Sequence, residues 1–295
     1  MIEVETDARL YSYFAYGLGI HSEIPLPELL TYDGSADVVI RLGNVNTARG
    51  KSPALDEITC SWEQVGKFFL KQGRDITVAP DPGVEESVLR QYIVGPVLAL
   101  VLEQRGTLAL HASAIRTRWG AVAFLADAGC GKSTTVVAFY DHGYPMVCDD
   151  ILAVKANEEG LQVFPGFPRL KVWPAVATYL KIEEESLSPL QPATEKLGRA
   201  VLEKFSPGPL PLHRMYVLTE GASVAIQALP PQEALIELVR NTFAVRFLYP
   251  KGSPAHFARC SQIVASVPVC RLSRPNSLAA IPLLVTAVEK DIAAE

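Results

Sequence analysis

Residues 124–134 read Phe-Leu-Ala-Asp-Ala-Gly-Cys-Gly-Lys-Ser-Thr, a pattern whose chemistry is phosphate binding. Gly129 and Gly131 let the backbone curl so that successive N–H groups surround phosphate oxygens at the start of a helix, where unpaired N–H groups and the helix dipole favour negative charge. Lys132 supplies a cation for β- and γ-phosphates, and the Ser133 hydroxyl is placed to ligate Mg²⁺. Ala126 stands where the pattern has its first glycine. Cys130, inside the loop, reads as a small residue tolerated where side chains point away from phosphate. Asp149 and Asp150 follow the next apolar run, where a phosphate-bridging Mg²⁺ needs a carboxylate beyond the serine hydroxyl. Adjacent carboxylates on a strand end point to opposite sides, so one can serve the metal while the other faces an acceptor hydroxyl as general base. His111 is the third element. A lone His on an apolar strand is often a satisfied core residue, but its run leads by a hairpin into the loop strand, which puts it at the same sheet end.

These residues need a strand, a loop and a helix in order. The apolar runs LALHASAI (108–115) and AVAFLA (121–126), joined by 116–120, predict a hairpin delivering the chain into the loop. A helix follows over 133–141, then a turn at His142-Gly143, the short run YPMVC, the acid pair and ILAVKA. Farther on, RMYVLTE, SVAIQAL and PVCRL predict strands, and QEALIELVRNTF, PAHFARCSQIVASV and SLAAIPLLVTAVEKDI predict helices. Residues 183–211, rich in Pro and charge and poor in periodicity, predict a long mobile connection. In the front part, strand-like runs at 10–20, 36–43, 58–65, 67–73 and 76–79 are separated by turn signals. A helix over 85–104, with Pro96 as a kink, leads into the second part. The expected fold is α/β (mixed α+β), with a β-rich N-terminal domain over 1–83 and a nucleotide-binding domain over 84–295.

The 295 residues are 49% hydrophobic and 20% charged, which fits a globular chain. The net charge of −5, without a Lys/Arg block, argues against nucleic acid as a partner. Acidic residues near the start, where a signal peptide needs a basic end, and the lack of an apolar run of about 20 residues give the expectation of a cytoplasmic protein with no membrane partner. Five scattered cysteines without a C-x-x-C pair fit reduced thiols better than disulfides or a zinc site.

The combination LHASAI (110–115), ADAGCGKST (126–134) and CDDILAV (148–154) resembles the HPr kinase/phosphorylase superfamily. FPGFPRLKVWP (164–174) and HFARCSQIVASVPVCRLSRP (256–275) look more closely like the HPr-kinase-like proteins of lasso-peptide and related peptide-tailoring clusters. The resemblance covers roughly residues 85–295, with specific motifs between 108 and 175. It implies a P-loop kinase core of the type shared with phosphoenolpyruvate carboxykinase. It further implies that Ala128, Gly129, Cys130, Gly131, Lys132, Ser133 and Thr134 hold ATP phosphates, with Mg²⁺ at Ser133 and Asp150. Asp149 would be the general base, His111 would assist it or bind the phosphoryl group, and Lys132 would stabilise the transferred group. A homo-oligomer is compatible with the resemblance, but no stoichiometry carries over.

This chain departs from the family pattern at Ala126, at Ala128 in place of Ser, and in lacking the E-I-R-G segment with its metal-side Glu and phosphorylase-linked Arg. Arg169 and Lys171 stand there instead, and without that segment a one-way kinase is expected rather than a kinase/phosphorylase. Arg169, expected at the cofactor, and Lys171 either neutralise transferred phosphoryl charge or form a solvated pair beside a helix start. Trp173-Pro174 reads as a helix start with Trp173 in the core. Arg246, His256 and Arg259 are candidates to line a substrate groove. The expected function is transfer of the γ-phosphoryl group of ATP to a serine hydroxyl, on a ribosomal, lasso-type precursor peptide. The alternatives are a kinase of free serine and a nucleotide-binding scaffold or regulator without catalysis; no L-S-G-G-Q supports an ABC-type ATPase.

Overall fold

The computed structural model describes residues 10–45, 56–191, 194–243 and 253–294. The chain divides into two compact units, Met1–Arg105 and Gly106–Glu295, of mixed α/β structure with several sheets. No helix among the described residues is long and apolar enough to cross a membrane.

The first unit is built on β1 (Tyr11–Ala15), β2 (Leu18–Ser22), β3 (Leu30–Thr31), β4 (Val38–Leu42), β5 (Glu57–Trp62), β6 (Gly66–Lys71) and β7 (Asp75–Pro80), ordered β3-β1-β2-β4-β7-β6-β5 in one sheet. The run 10–20, which reads as one strand, is a hairpin. Tyr16 and Gly17 adopt φ of 56° and 74°, the left-handed pair that matches a two-residue turn to strand twist. Helices α1 (Glu86–Tyr92) and α2 (Leu98–Gln104) flank a wider turn at Ile93–Val97, broken at Gly95 (φ −98°, ψ −108°) beside Pro96, as a residue without an N–H requires.

The boundary lies after Arg105, not after residue 83. The helical segment is tied to the first sheet: Arg90 Nε donates to Glu28 at 3.0 Å, the Trp62 and Tyr92 rings lie 5.1 Å apart, and Gly73 N–H donates to the Gln104 side chain. An amphipathic pattern shows that a helix needs an apolar surface, but not which surface.

The second unit begins with β8 (Leu108–Leu110), β9 (Ala112–Thr117), β10 (Gly120–Leu125) and α3 (Lys132–Asp141). There follow β11 (Met146–Cys148), β12 (Leu152–Asn157), β13 (Gly160–Phe164), β14 (Arg169–Val172), α4 (Pro174–Leu180), β15 (Leu187–Pro189) and β16 (Leu197–Ala200). The last elements are β17 (Leu210–Glu220), β18 (Ala225–Ala228), α5 (Pro231–Arg240), α6 (Pro254–Ser266), β19 (Val269–Arg274) and α7 (Ile281–Ala293). The main sheet runs β11-β9-β10-β17-β13-β12-β8, with β19 beside β17 and β18 beside β19. Strands β10, β17 and β19 are parallel, and the hairpin β9–β10 sets Ala112 opposite Leu125 and Ser113 opposite Phe124.

Both faces of this sheet are covered, so β10 reads as an unbroken apolar run. Val122 and Phe124 enter one core with Val136 and Phe139 of α3 and Leu284 and Val288 of α7. Ala121, Ala123 and Leu125 enter the other with Leu238 of α5 and Ile263 of α6, the two-residue alternation of a strand. The run LALHASAI is two strands rather than one: β8 pairs with β12 and β9 with β10 and β11. His111 sits at the break.

The stretch 183–211 is also not a bare connection. Strands β15 and β16 form an antiparallel sheet with β14 in the order β14-β16-β15, Leu190 and Val201 are buried, and Val201 N–H donates to Pro168 O at 3.0 Å. Strands of three and four residues are too short to show periodicity.

Candidate functional site

The loop from Ala126 to Gly131 joins the buried end of β10 to the start of α3. Gly129 and Gly131 have φ of 83° and 90°, values that side chains rarely adopt, and a Cβ on Gly131 would fall on the Arg274 guanidinium. Ala126 takes no such conformation, and its methyl is buried with Phe124 and Val136. The alanine in place of the pattern's first glycine is therefore a core residue, and the loop needs no glycine there. Lys132 Nζ donates to the carbonyls of Ala126 (2.7 Å) and Asp127 (3.1 Å). Burial lowers its pKa, against the pull of Asp150 and Asp149.

Asp149, 6% exposed, lies just past β11. Its Oδ1 accepts from Ser113 Oγ at 2.7 Å and from Ser133 Oγ at 2.9 Å, and its Oδ2 accepts from the Lys171 backbone N–H at 2.9 Å. Strand β9, the loop helix and β14 thus converge on one carboxylate. Asp150 turns the other way through a left-handed backbone, φ 81°. Its carboxylate accepts from Lys171 Nζ at 2.6 Å and lies 3.2 Å from His111 Nδ1. Burial would raise its pKa, but Lys171 and then His111 outweigh that and hold it at about 2. Burial works against the Lys171 ammonium as well, and Asp150 more than offsets it, so its pKa is raised.

His111 is held at the strand break by its backbone N–H, which donates to Asn241 O at 2.6 Å, and by an edge contact with the Phe243 ring. Its Nδ1 faces two oxygens of Asp150, the carbonyl at 3.1 Å and the carboxylate. Both only accept, so Nδ1 carries the proton, and in the neutral ring Nε2 holds the lone pair. Burial lowers the His111 pKa, with Asp150 opposing, which favours the neutral ring.

His111, Lys132, Ser133, Asp150 and Lys171 line one cleft together with Ala128, Gly129, Gly131 and Thr134. Cys130 is exposed, and its carbonyl accepts from Arg274 at 3.0 Å. Arg169 shares a strand face with Lys171, but its guanidinium donates to Ser188 Oγ at 3.1 Å and covers Gly198, and it is not among the residues lining the cleft. Trp173 is not a core residue. It is 39% exposed and lines the cleft with Lys196, whose ammonium lies 5.2 Å from the ring centroid. His256 is buried and bonded to Thr242 Oγ1 at 2.9 Å, so it lines no surface groove, Arg259 is half-buried, and Arg246 lies outside the described residues.

Sequence reasoning missed Ser113, Lys196 and Arg274. Ser113 carries a signal in hindsight, a hydroxyl inside an otherwise apolar strand two residues beyond His111. Lys196 falls in the polar stretch that reads as a connection, and Arg274 has no local signal.

Among the described residues no group of three or more His, Cys, Asp or Glu side chains is placed to hold a metal by itself. The adjoining Ser133 and Asp149 oxygens suit instead a cation that keeps most of its shell for phosphate and water, as Mg²⁺ does.

No family model matches the sequence, and no curated protein matches it. Among solved structures, the chain is similar to the Hpr(Ser) kinase/phosphatase from Coxiella burnetii at 14% identity and a TM-score of 0.35, over 62% of this chain and 95% of that one. At that level the similarity carries no argument, and the functional reading rests on the site.

Proposed function

We propose that the chain is an ATP- and Mg²⁺-dependent phosphotransferase of the HPr-kinase type that transfers the γ-phosphoryl group one way to a hydroxyl acceptor. The observation that carries this reading is the meeting of the Ser133 hydroxyl and the Asp149 carboxylate at 2.9 Å, beside Lys132 at the start of α3. Ser133 and Asp149 would hold Mg²⁺, which when bound neutralises charge on the β- and γ-phosphates. The loop N–H groups and Lys132 bind the phosphates, Lys132 exchanging the carbonyls of Ala126 and Asp127 for phosphate oxygens.

The proton belongs on the other side of the acid pair. Asp150 fixes the His111 ring through Nδ1–H, which leaves Nε2 to take the proton from the acceptor hydroxyl as the oxygen–phosphorus bond forms and ADP departs. This exchanges the roles that the family resemblance implies for Asp149 and Asp150. It is supported by the hydroxyl that Asp149 receives from Ser133 and by the imidazole and ammonium that contact Asp150. Lys171 and Lys196 supply positive charge to the equatorial phosphoryl oxygens.

The serine of a ribosomal, lasso-type precursor peptide is the first acceptor to test, and free serine the second; the acceptor class rests on sequence resemblance alone, and a cytoplasmic setting on the charge and hydropathy pattern of the sequence. Two departures from the family pattern, Ala126 and the missing metal-side Glu, bear on the scaffold alternative; of these, the Ala126 methyl fits the core without disturbing the loop. Mass spectrometry of the protein with ATP, Mg²⁺ and an acceptor panel tests the reading. One phosphate gained on one acceptor, and lost with Asp149→Asn, is the expected result. ATP binding without transfer to any acceptor, and without ADP release, would return the scaffold reading.

A further inference from the structure

His256 is a buried titratable group with no part in the chemistry above. It lies on the first turn of α6, where its backbone N–H donates to Ser253 Oγ at 3.3 Å. Its Nε2 meets Thr242 Oγ1 at 2.9 Å, and Cys260 Sγ lies 3.7 Å from the same nitrogen. The Thr242 hydroxyl donates its own proton to Leu238 O at 3.1 Å, so it receives the Nε2–H of the imidazole. Burial and then the Arg259 charge lower the His256 pKa, which favours the neutral ring that donates there.

Thr242 is the middle one of three residues that hold His111. Strand β8 ends the main sheet and pairs with β12 along one edge. Residues 241–243 run along the other, with Thr242 opposite Leu110 in an antiparallel bridge. Phe243 N–H donates to Ala109 O at 2.8 Å, and His111 N–H donates to Asn241 O at 2.6 Å. The Phe243 ring stands edge-on to the His111 imidazole. Asn241 and Thr242 both turn their side chains back onto the last turn of α5, to the carbonyls of Glu237 and Leu238.

Resting on the phosphotransferase reading above, we infer that His256 is a positioning residue for His111, acting through Thr242. His111 falls between β8 and β9 and belongs to neither strand, so its placement follows residues 241–243. Those residues are pinned from α6 by the bond between His256 and Thr242. A buried imidazole carries a desolvation cost that an apolar residue in its place would not. Its return is the fixed direction of the His111 ring, with Nδ1 on Asp150 and Nε2 toward the acceptor.

The test reads His111 directly, in the full chain without nucleotide. Long-range proton–nitrogen NMR of the histidine rings should show a single His111 tautomer protonated at Nδ1, its signals assigned by their loss in His111→Gln. His256→Phe fills the site without a donor and should turn that signal into a mixture of tautomers. Thr242→Val removes the acceptor at nearly constant shape and should do the same, whether or not the Phe variant folds well. His256→Gln keeps a donor near the Nε2 position and should restore the single tautomer. In phosphoryl transfer the Phe and Val variants should lose about ten- to a hundredfold in kcat with KM for ATP unchanged, and the Gln variant should recover it. A native His111 tautomer in both His256→Phe and Thr242→Val overturns the assignment, as does a loss confined to KM. If the native protein transfers phosphate to no acceptor, the phosphotransferase reading fails, and the NMR spectra alone decide whether His256 holds His111.

Discussion

Lys171 is bonded to both members of the acid pair, by its backbone N–H to Asp149 at 2.9 Å and by its ammonium to Asp150 at 2.6 Å. The first bond depends only on where β14 lies, and the second on the side chain, so substitution separates them.

Lys171→Met should leave the Asp149 contact in place and strand the Asp150 carboxylate beside His111. Loss of a charge-assisted hydrogen bond in a half-buried setting costs about 2 kcal/mol, read as a lower urea midpoint at unchanged m. Phosphoryl transfer should fall about a hundredfold or more. Native transfer by the Met variant would remove Lys171 from the mechanism.

Ser133→Ala and Asp149→Asn should act alike on the metal and differently on the fold. Both should weaken the dependence of ATP affinity on Mg²⁺ while metal-free ATP binding persists. Only Asp149→Asn should also lower stability, because its amide turns a donor toward one of Ser113, Ser133 or the Lys171 N–H. A magnesium titration by calorimetry, paired with urea unfolding, reads both. Unchanged magnesium dependence in both variants would remove the metal from this position.

The acid limb of the pH–rate profile should belong to His111. Burial depresses its pKa below 6.5, and transfer through Nε2 needs the neutral ring, so the rate should be level above pH 6.5 and decline below it. Stability follows the same sign: a depressed folded-state pKa contributes stability that is present above the unfolded value and lost as pH falls through the folded one. Asp150, held at about 2, cannot produce a limb in this range. His111→Gln should remove the decline, and a limb that survives the substitution counts against His111 as the proton acceptor.

The C-terminal helix has its own anchor. Asp291 on α7 accepts from Arg214 and from the Tyr216 hydroxyl, both on β17, the latter at 2.6 Å. Asp291→Asn leaves a buried guanidinium without its carboxylate and should destabilise the protein by about 3 kcal/mol. The same variant should keep tripolyphosphate affinity in the cold, since none of the three side chains lines the loop cleft. Thermal unfolding followed by circular dichroism measures the loss, and a melting temperature equal to the native one would show the trio to be dispensable.

The loop was legible because its residues are contiguous and its glycines answer a local backbone demand. The acid pair was legible by its spacing, but β11 ends at Cys148, so the divergence of its side chains comes from the left-handed backbone of Asp150 and not from strand alternation. Which carboxylate faces Ser133 was not legible, because that depends on the left-handed turn at Asp150 and on β14 arriving beside Asp149. The break at His111 was hidden by composition, since an apolar run looks the same whether it pairs in one place or two. Trp173 and Lys196 were misjudged for one reason: both flank the small sheet β14-β16-β15, whose strands are too short and polar to announce themselves. Arg274 meets the loop 144 positions away in the chain, a relation fixed by tertiary structure alone.

The pairing of Ala112 with Leu125 and of Ser113 with Phe124 makes the β9–β10 hairpin a ruler for the site. A one-residue slip would shift the loop by about 3.3 Å along His111 and carry Ser113 to the opposite face, away from Asp149. Length changes at the turn between Thr117 and Gly120 leave the ruler unmarked. A single insertion inside either strand would dismantle the site while every one of its residues remained, so this chemistry tolerates exchanged letters better than added ones.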